Sequence, residues 1–506
     1  MSGFVVDFGN PDRSKVESML ELIRHRGPHA CGICENKKVI MAQNYLRADG
    51  PKDDEGNRIP VASSRDPNLA ICYDGQIGNW DKLPLIEDIK ENPFREERLI
   101  LKLYEQSGKD LFQYLDDAIF AFVISDGEKL IAARDLLGIK TLFYGRKNNT
   151  LYLASELKSI TKITDEVFEF PPGHHMNADG NLSRFAKLPE AHPQFISLSV
   201  EEMIEDIRAI IYRSFRNRVD FDITTGSLLS GGFDSSVICC LANGAYKEKF
   251  GPDAKLKTFS LGVGESEDIH KARIVADHLG TEHHEFIADL KDLLKVLPEV
   301  IYYLESFDPA LVRSAVSNYL ISRHAKEQGI ETLLSGEGGD ELFCGYNHLK
   351  ALSTEEIFAG QIECLGFLHN NASLRLDRMN QCNSVRVVTP LISGELLKYS
   401  LRVPPEYKMK EEGGQKIEKW IFRKAFEGFL PDAIVWRVKQ EFSQGSGSDL
   451  ILPAYFEDLI SDAEFKDARA KYPMVRSKEE LYYLRIFTGY FGAGRSVETV
   501  GLWPRV

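Results

Sequence analysis

A glycine-rich loop in the second half of the chain has the composition of a phosphate-binding site. Residues 228–236 read L-L-S-G-G-F-D-S-S and lead into an apolar run. The two glycines let backbone N–H groups approach an anion, and the final serines are typical of a helix N-terminus. Asp234 suits the Mg²⁺ that accompanies a nucleotide. The segment 230–236, called here the phosphate loop, is therefore predicted to bind polyphosphate, with an ordinary Gly-Ser turn as the alternative.

An acidic turn further along the chain could serve the same site. Residues 335–341 read S-G-E-G-G-D-E, so the carboxylates of Glu337, Asp340 and Glu341 fall within five residues. Such a cluster repels itself unless a cation or a basic ligand compensates. Apolar residues on both sides place the turn against the core, which disfavours the alternative of a solvated charge run. We expect this acidic turn to meet the phosphate loop.

Alternating strands and helices would position both segments. After residue 199, helical patterns alternate with short apolar strands such as 256–263 and 330–334. This order predicts an α/β domain with a doubly wound parallel sheet, whose ligands bind at the carboxyl ends of the strands. The phosphate loop, the segment 259–262 and the acidic turn would meet at that edge.

The first half of the chain has a different pattern. Short alternating segments, among them 39–42, 69–74 and 119–125, are separated by turn residues. They predict an α+β domain with mostly antiparallel sheets. The stretch 189–193 is bounded by prolines and is typical of a linker.

Composition limits the partners. A formal charge of −14 and a pI near 5.5 provide no diffuse positive surface, so nucleic acid is not expected as a partner. No apolar run is long enough for a bilayer, and we expect a cytoplasmic protein with small-molecule ligands. The eight cysteines are too few and too scattered for a disulfide framework, and a lone C-x-x-C at 31–34 is a weak metal or redox signal.

Several motifs resemble known families. The phosphate loop resembles the S-G-G-x-D-S motif of the N-type ATP pyrophosphatases, which cleave ATP between the α and β phosphates, and a Walker A sequence is absent. In the first half, M-S-G-F, R-H-R-G-P, Y-D-G-Q-I-G-N-W, R-D-L-L-G-I-K-T-L-F-Y and A-S-E-L-K resemble a class II glutamine amidotransferase domain. The whole chain resembles the asparagine synthetase family.

This resemblance implies two domains. Residues 1–190 would form an N-terminal-nucleophile hydrolase-like domain with antiparallel sheets. Residues 197–506 would form an adenine nucleotide α-hydrolase-like domain that adenylates a carboxylate with ATP and Mg²⁺ and then makes an amide. The expected partners are a small carboxylic acid and ammonia or an amine, with no nucleic acid and no membrane, and a homodimer remains open.

The same resemblance implies site residues. Asp234 and Asp340 would bind Mg²⁺, Glu337 would act as base, and Lys439, in the segment W-R-V-K-Q-E-F, would stabilise charge on the phosphates. The residues implied for ATP are Leu229, Ser230, Gly231, Gly232, Asp234, Ser235, Ser236, Leu261 and Gly336. Those implied for the acceptor substrate are Arg313, Glu341 and Arg386.

The glutamine site departs from the family pattern. Ser2 stands where the family has a cysteine nucleophile, and Tyr45 replaces the arginine that grips the glutamine carboxylate. Asp74 replaces an asparagine that donates to the oxyanion, and only Glu96 remains as a partner for the glutamine amino group. We expect a retained scaffold without glutaminase activity, and an amidohydrolase using Ser2 is the alternative.

The acceptor pocket also departs from the family pattern. Ala310 and Leu311 replace a hydroxyl pair, Arg386 replaces an acid, and Val388 replaces an arginine. We therefore expect an acceptor other than ordinary aspartate, since unpaired polar groups of a substrate disfavour its binding. The alternatives are an ammonia-dependent asparagine synthetase acting on aspartate, an amine-using or lactam-forming ligase, and a non-catalytic nucleotide-binding relative.

Overall fold

The computed structural model describes residues 2–46, 59–79, 82, 83, 89, 92, 94–264, 266–440, 445 and 447–503. They form two compact units. The first holds the residues up to Leu188 together with Thr488–Gly501, and the second holds Pro189–Phe487 with Leu502 and Trp503. Residues 488–501 thus belong to the first unit, whereas the sequence assigned them to the second domain. Trp80 and Phe442, which close two of the motifs above, lie outside the described residues.

Two antiparallel six-stranded sheets make up most of the first unit. Their orders are β10-β8-β9-β1-β3-β2 and β12-β11-β7-β6-β5-β4. The strands are β1 (Ser2–Phe8), β2 (Ala30–Asn36), β3 (Val39–Tyr45), β4 (Val61–Ala62), β5 (Ala70–Ile77), β6 (Ala118–Ser125), β7 (Leu130–Arg134), β8 (Phe143–Lys147), β9 (Thr150–Ala154), β10 (Val167–Glu169), β11 (His174–Asn177) and β12 (Leu182–Arg184).

A shared core joins these two sheets. Phe4 and Val6 of β1 pack in one buried cluster with Cys72 of β5 and Val123 of β6. The other face of the second sheet packs against helix α2, where Leu99 and its neighbours are buried. The helices of this unit are α1 (Arg13–Glu21), α2 (Arg95–Ser107) and α3 (Leu157–Thr161).

A parallel five-stranded sheet organises the second unit. Its order is β15-β14-β13-β16-β17, and a separate hairpin pairs β18 with β19. The strands are β13 (Thr225–Leu228), β14 (Lys257–Val263), β15 (Glu282–Ala288), β16 (Thr332–Leu334), β17 (Arg386–Val388), β18 (Met409–Glu412) and β19 (Gln415–Glu418).

Helices precede, connect and follow the strands of this sheet along the chain. They are α4 (Val200–Arg218), α5 (Phe233–Phe250), α6 (Glu267–Leu279), α7 (Leu290–Leu304), α8 (Pro309–Glu327), α9 (Gly339–Phe343), α10 (Ile357–Phe367), α11 (Ala372–Gln381), α12 (Gly394–Arg402), α13 (Pro405–Lys408), α14 (Trp420–Ala425), α15 (Asp432–Val435), α16 (Ser448–Leu459), α17 (Asp462–Lys471) and α18 (Lys478–Phe491). Among the described residues, no helix is long and apolar enough to cross a membrane.

The order of the strands explains where the loops meet. β13 comes first in the chain but lies at the centre, because it pairs with β14 on one side and with β16 on the other. The order in which strands are added therefore reverses at β13. As a result, the phosphate loop after β13 lies next to the acidic turn after β16. Both predicted fold classes, the antiparallel α+β unit and the parallel α/β unit, are confirmed.

Candidate active site

The phosphate loop is shaped by a glycine and by its own hydroxyl groups. Gly231 has φ +70°, and a Cβ there would lie 2.5 Å from the backbone nitrogen of Ala272, so only glycine fits. Ser235 Oγ accepts a hydrogen bond from Ser230 N at 3.3 Å, and Ser236 Oγ donates to Gly232 O at 2.8 Å. These bonds hold the loop at the N-terminus of α5, where backbone N–H groups favour an anion.

The acidic turn packs directly on the phosphate loop. A Cβ on Gly336 would lie 2.5 Å from Asp234 C and 2.5 Å from Ser235 N. A side chain at Gly336 would therefore force the two segments apart. This close approach brings the carboxylates of Asp234 and Asp340 into one cavity.

Lys419 bridges those two carboxylates. Its Nζ lies 2.6 Å from Asp340 Oδ1 and also forms an ion pair with Asp234. Lys419 precedes α14 with φ +56°, and its side chain is 2% exposed. One ammonium group thus offsets the repulsion between two buried acids.

A second lysine reaches the same acid. Lys439 Nζ lies 2.7 Å from Asp340 Oδ2, and the side chain is 20% exposed. Burial acts to raise the pKa of Asp340, but the ammonium groups of Lys419 and Lys439 hold that pKa below its usual range. Burial raises the pKa of Asp234 despite its pairing with Lys419. Asp340 is therefore the more firmly ionised of the two acids.

Arg437 adds further positive charge to the wall. Its Nη2 lies 2.7 Å from Asp268 Oδ1, and both side chains are 7% exposed. Burial raises the pKa of Asp268 to about 6, even though the guanidinium of Arg437 opposes that change. The pair links α6 to the segment that carries Lys439.

The two carboxylates suit Mg²⁺. Asp234 Oδ1 is buried and accepts no hydrogen bond from any described residue. Carboxylate oxygens are the protein ligands that Mg²⁺ takes, and it usually binds one or two of them together with phosphate oxygens and waters. Within the described residues, no group of three or more His, Cys, Asp or Glu side chains could hold a metal ion by itself. Asp234 and Asp340 thus fit a metal that arrives with a nucleotide.

The cavity extends beyond the charged groups. Its empty volume, which includes open solvent, is about 980 Å³, and Leu229, Phe259 and Leu261 form an apolar part of its wall.

A carboxylate and a guanidinium pair inside this cavity. Glu337 of the acidic turn forms an ion pair with Arg375 of α11, and both side chains line the wall. The Arg375 side chain is 10% exposed, and burial lowers its pKa to about 10. Arg375 therefore remains positively charged near neutral pH.

Most of the residues implied for ATP, metal and catalysis lie together. Gly231 and Ser236 do not line the cavity but shape the loop from behind. The predicted residues that line it are Leu229, Ser230, Gly232, Asp234, Ser235, Leu261, Gly336, Glu337, Asp340 and Lys439.

The three residues implied for the acceptor substrate do not line this cavity. Arg313 Nη2 lies 2.5 Å from Glu479 Oε2, a buried carboxylate. Arg386 pairs with Thr332 at the start of the parallel strands β16 and β17, whereas the phosphate loop and acidic turn lie where strands end.

Glu341 lies in the protein interior, next to the cavity residue Asp340 in the chain. It is buried and accepts a hydrogen bond of 2.6 Å from the hydroxyl group of Tyr346. Burial raises the pKa of Glu341 to about 7. Its contact with the acceptor substrate stays a prediction.

Sequence reasoning missed four basic groups of the cavity: Lys419, Arg375, Arg423 and Arg437. Arg437 lies within the W-R-V-K segment that was singled out, two residues before Lys439. Lys419 and Arg423 flank the apolar run Trp420–Phe422, and local sequence does not indicate their burial because such side chains are usually exposed. Arg375 lies in a helix far from any recognised motif, and its sequence context gave no signal.

In the first unit, the altered residues lie in a buried network of charges. Asp74 Oδ1 accepts a hydrogen bond of 3.1 Å from the backbone N of Ser2. Asp74 Oδ2 lies 2.8 Å from Arg26 Nη2 and 3.4 Å from Lys140 Nζ. Arg26 also lies 3.0 Å from Glu156. The Asp74 carboxylate is therefore bound within the protein.

Tyr45 and Glu96 also have partners within this unit. The ring of Tyr45 packs against Phe94 with centroids 5.3 Å apart. Glu96 accepts hydrogen bonds from the Tyr73 hydroxyl at 2.6 Å and from Ile77 N at 3.2 Å. Both side chains thus make contacts that serve the fold.

Two family models match the chain. The asparagine synthase model matches residues 206–365 and 360–485, and the glutamine amidotransferase domain model matches residues 1–185. Together they span nearly the whole chain.

Curated relatives match over the same length. Asparagine synthetase [glutamine-hydrolyzing] 2 of Arabidopsis thaliana is 30% identical over 522 residues, covering 99% of this chain and 88% of that protein. The probable asparagine synthetase [glutamine-hydrolyzing] of Schizosaccharomyces pombe is 32% identical over 527 residues, covering 97% and 92%.

Among solved structures, glutamine phosphoribosylpyrophosphate amidotransferase from B. subtilis aligns with a TM-score of 0.32 and 14% identity over 56% of this chain and 81% of that chain. That similarity is too weak to bear on function. The family models and the full-length relatives are sufficient to assign the chain to a family. The chain belongs to the asparagine synthetase family and is an ATP-dependent carbon–nitrogen ligase.

Proposed function

We propose that this chain activates a small carboxylic acid with ATP and Mg²⁺, releases pyrophosphate, and forms an amide with free ammonia. The observation that carries the ligase chemistry is the contact of Lys419 and Lys439 with Asp340, beside a loop shaped for phosphates. The altered glutamine site of the first unit supports the choice of ammonia.

The first step joins the acid to AMP. A carboxylate oxygen of the substrate attacks the α-phosphorus of ATP, the bond from that phosphorus to the bridging oxygen breaks, and pyrophosphate leaves with the electron pair. Backbone N–H groups of the phosphate loop bind the β and γ phosphates. Lys419 and Lys439 stabilise the negative charge that develops on the pyrophosphate.

Asp234 and Asp340 are the residues that would hold Mg²⁺. The bound ion would neutralise phosphate charge. The chain itself contributes the position of the two carboxylates, which the close packing of Gly336 on the phosphate loop sets.

The second step forms the amide. Ammonia attacks the acyl carbon of the adenylate, the carbon–oxygen bond to AMP breaks, and AMP leaves. The nitrogen must lose a proton, and Glu337 is the carboxylate proposed to accept it. Glu337 lines the same cavity as the phosphate loop.

In the part of the first unit that the structure describes, two positions implied for glutamine hydrolysis carry other groups. Asp74 is a carboxylate where a donor should stabilise an oxyanion, and it pairs with Arg26 and Lys140. Tyr45 packs on Phe94 and provides no cation for a glutamine carboxylate. The curated relatives named above are glutamine-hydrolysing, so this chain would differ from them in its nitrogen source.

Product analysis tests the ligase chemistry. Purified protein is incubated with ATP, MgCl₂, ammonium chloride and a panel of amino acids and other small carboxylic acids. AMP and pyrophosphate in equal amounts are the expected products, and Asp234→Ala should abolish them while exposed Asp222→Ala should not. ADP with orthophosphate, or no nucleotide turnover with any acid, would contradict the proposal.

A further inference from the structure

The pairing of Glu337 with Arg375 conflicts with the role of Glu337 as a base. A guanidinium beside a carboxylate favours the ionised carboxylate, which then binds a proton weakly. In the structure, Glu337 forms this ion pair within the cavity. A base in this state accepts a proton poorly, so Arg375 has to leave Glu337 before the amide step.

The other cavity arginines are committed to structural partners. Arg437 pairs with Asp268, and Arg423 donates to Glu418 Oε1 and to the backbone of Val435. Arg375, by contrast, pairs with a proposed catalytic group, Glu337. If another anion replaced Glu337 as the partner of Arg375, the reactivity of Glu337 would therefore change.

We propose that Arg375 binds an anionic group of the acceptor substrate and that this exchange releases Glu337 to act as the base. The inference rests on the proposed function and names the residue that selects the acceptor. Its consequence is a site in which Glu337 becomes active only when the correct acid is bound. Arg375 supplies the cation that the sequence assigned to Arg386.

A neighbouring amide supports a ligand at this position. Asn318 of α8 lines the same cavity and is 2% exposed. Its Nδ2 donates no hydrogen bond to any described residue. A buried donor without a partner is costly, and a ligand oxygen would satisfy it. Helices α8 and α11 pack together, so the wall offers an amide donor as well as the guanidinium of Arg375.

The inference defines the chemistry of the acceptor. The substrate needs one carboxylate for adenylation and a second anionic group for Arg375. L-aspartate and β-alanine form a matched pair of probes, because β-alanine is aspartate without its α-carboxylate. We expect a strong preference for the first over the second, so the inference makes aspartate an acceptor, contrary to the expectation drawn from Ala310, Leu311, Arg386 and Val388.

Calorimetry measures how tightly an acid binds at Arg375 when no turnover occurs. Protein saturated with α,β-methylene-ATP and MgCl₂ is titrated with L-aspartate, succinate and β-alanine. A dicarboxylate should bind the wild-type protein, and Arg375→Gln should weaken that binding at least about tenfold, as expected for a charge-assisted contact. Arg375→Lys should bind with intermediate affinity. The affinity for α,β-methylene-ATP should stay unchanged in each variant, which also shows that the site is folded.

A turnover measurement separates a binding role from a structural one. The ratio of kcat/KM for L-aspartate to that for β-alanine should fall at least about tenfold in Arg375→Gln. A merely structural role would lower both values together and keep the ratio. An unchanged ratio would therefore contradict the inference.

Two further outcomes separate the role of Arg375 from the proposed function. If no dicarboxylate binds the wild-type protein, or if Arg386→Gln and not Arg375→Gln removes the binding, the inference is overturned. If dicarboxylates bind in an Arg375-dependent manner but no acid supports pyrophosphate release, Arg375 stands as the anion-binding residue, whereas the proposed function and the role of Glu337 as base fail.

Discussion

Lys419 Nζ lies 2.6 Å from Asp340 Oδ1 inside the cavity. The same ammonium group contacts Asp234, so one lysine joins the phosphate loop to the acidic turn. We propose two functions for Lys419: it stabilises the two acids in the folded protein, and it stabilises phosphate charge during the reaction.

Lys419→Met is expected to lower both activity and stability. The loss of a charge that stabilises the transition state should reduce kcat for pyrophosphate release by about 100-fold or more. Removing the cation also leaves two buried carboxylates near each other, which should cost about 3 kcal/mol or more. Steady-state kinetics and thermal unfolding measure the two effects. Full activity in Lys419→Met would show that the bridge is only structural.

Lys439→Met is expected to lower activity with a smaller loss of stability than Lys419→Met. Its side chain is 20% exposed, and Asp340 keeps Lys419 as a counter-charge. A decrease in kcat of about 100-fold, with an unfolding temperature above that of Lys419→Met, is the expected result. Lys424→Met is the matched control, since Lys424 pairs with Glu427 on the surface. Equal effects of the two substitutions would remove Lys439 from the mechanism.

Local sequence was sufficient to predict that the phosphate loop and the acidic turn meet. Both are short motifs that follow buried strands, and their residue types indicate a phosphate and a metal as ligands. The parallel sheet then brings the two together, because the carboxyl ends of neighbouring strands share one edge. Seven of the ten predicted residues that line the cavity belong to these two motifs.

Local motifs did not show where the residues implied for the acceptor substrate lie relative to the cavity. Arg386 lies two residues before the end of β17, and a match of short segments does not reveal which edge of the sheet a residue occupies. Arg313 has a partner, Glu479, that is 166 residues away in the sequence. The pairing of Arg375 with Glu337 likewise depends on how α11 packs, which no local pattern encodes.

Asp74→Asn is expected to destabilise the first unit. The family pattern has an asparagine there, but in this chain the substitution removes a buried carboxylate charge that pairs with Arg26 and Lys140. Breaking such a pair costs about 3 kcal/mol or more. Thermal unfolding should show a lower transition temperature, whereas the exposed control Asp165→Asn should not change it. An unchanged transition for Asp74→Asn would mean that the network adds no stability.

Ser2→Cys is expected to give no glutaminase. A thiolate without an oxyanion donor and without a cation for the glutamine carboxylate cannot stabilise its tetrahedral intermediate. Release of glutamate from glutamine should therefore remain at background. Glutamate release as fast as amide formation would overturn this expectation.

Glu97→Gln is expected to stabilise the protein in a pH-dependent manner. Burial raises the pKa of Glu97 from its ordinary 4.5 to about 7. The stability contributed by the protonated group is fully present below about 4.5 and is lost as the pH rises towards 7. Above that range, folding must bury a charged carboxylate, which glutamine avoids.

The size of this effect follows from the shift. Each pKa unit corresponds to about 1.4 kcal/mol, so Glu97→Gln should gain up to about 3 kcal/mol at pH 8. Near pH 4.5 the gain should vanish. Thermal unfolding of both proteins between pH 4.5 and 8 measures it, and a gain that does not change with pH would contradict the assigned pKa.

The source of nitrogen is the central point on which this chain would differ from its glutamine-hydrolysing relatives. The most direct test supplies ¹⁵N-ammonium chloride in one reaction and amide-¹⁵N-glutamine in another, each with ATP, MgCl₂ and an acid that supports pyrophosphate release. Mass spectrometry of the amide product should show ¹⁵N from ammonium and none from glutamine. Efficient transfer of ¹⁵N from glutamine would contradict the account, because it would require a working glutaminase around Ser2, Tyr45 and Asp74.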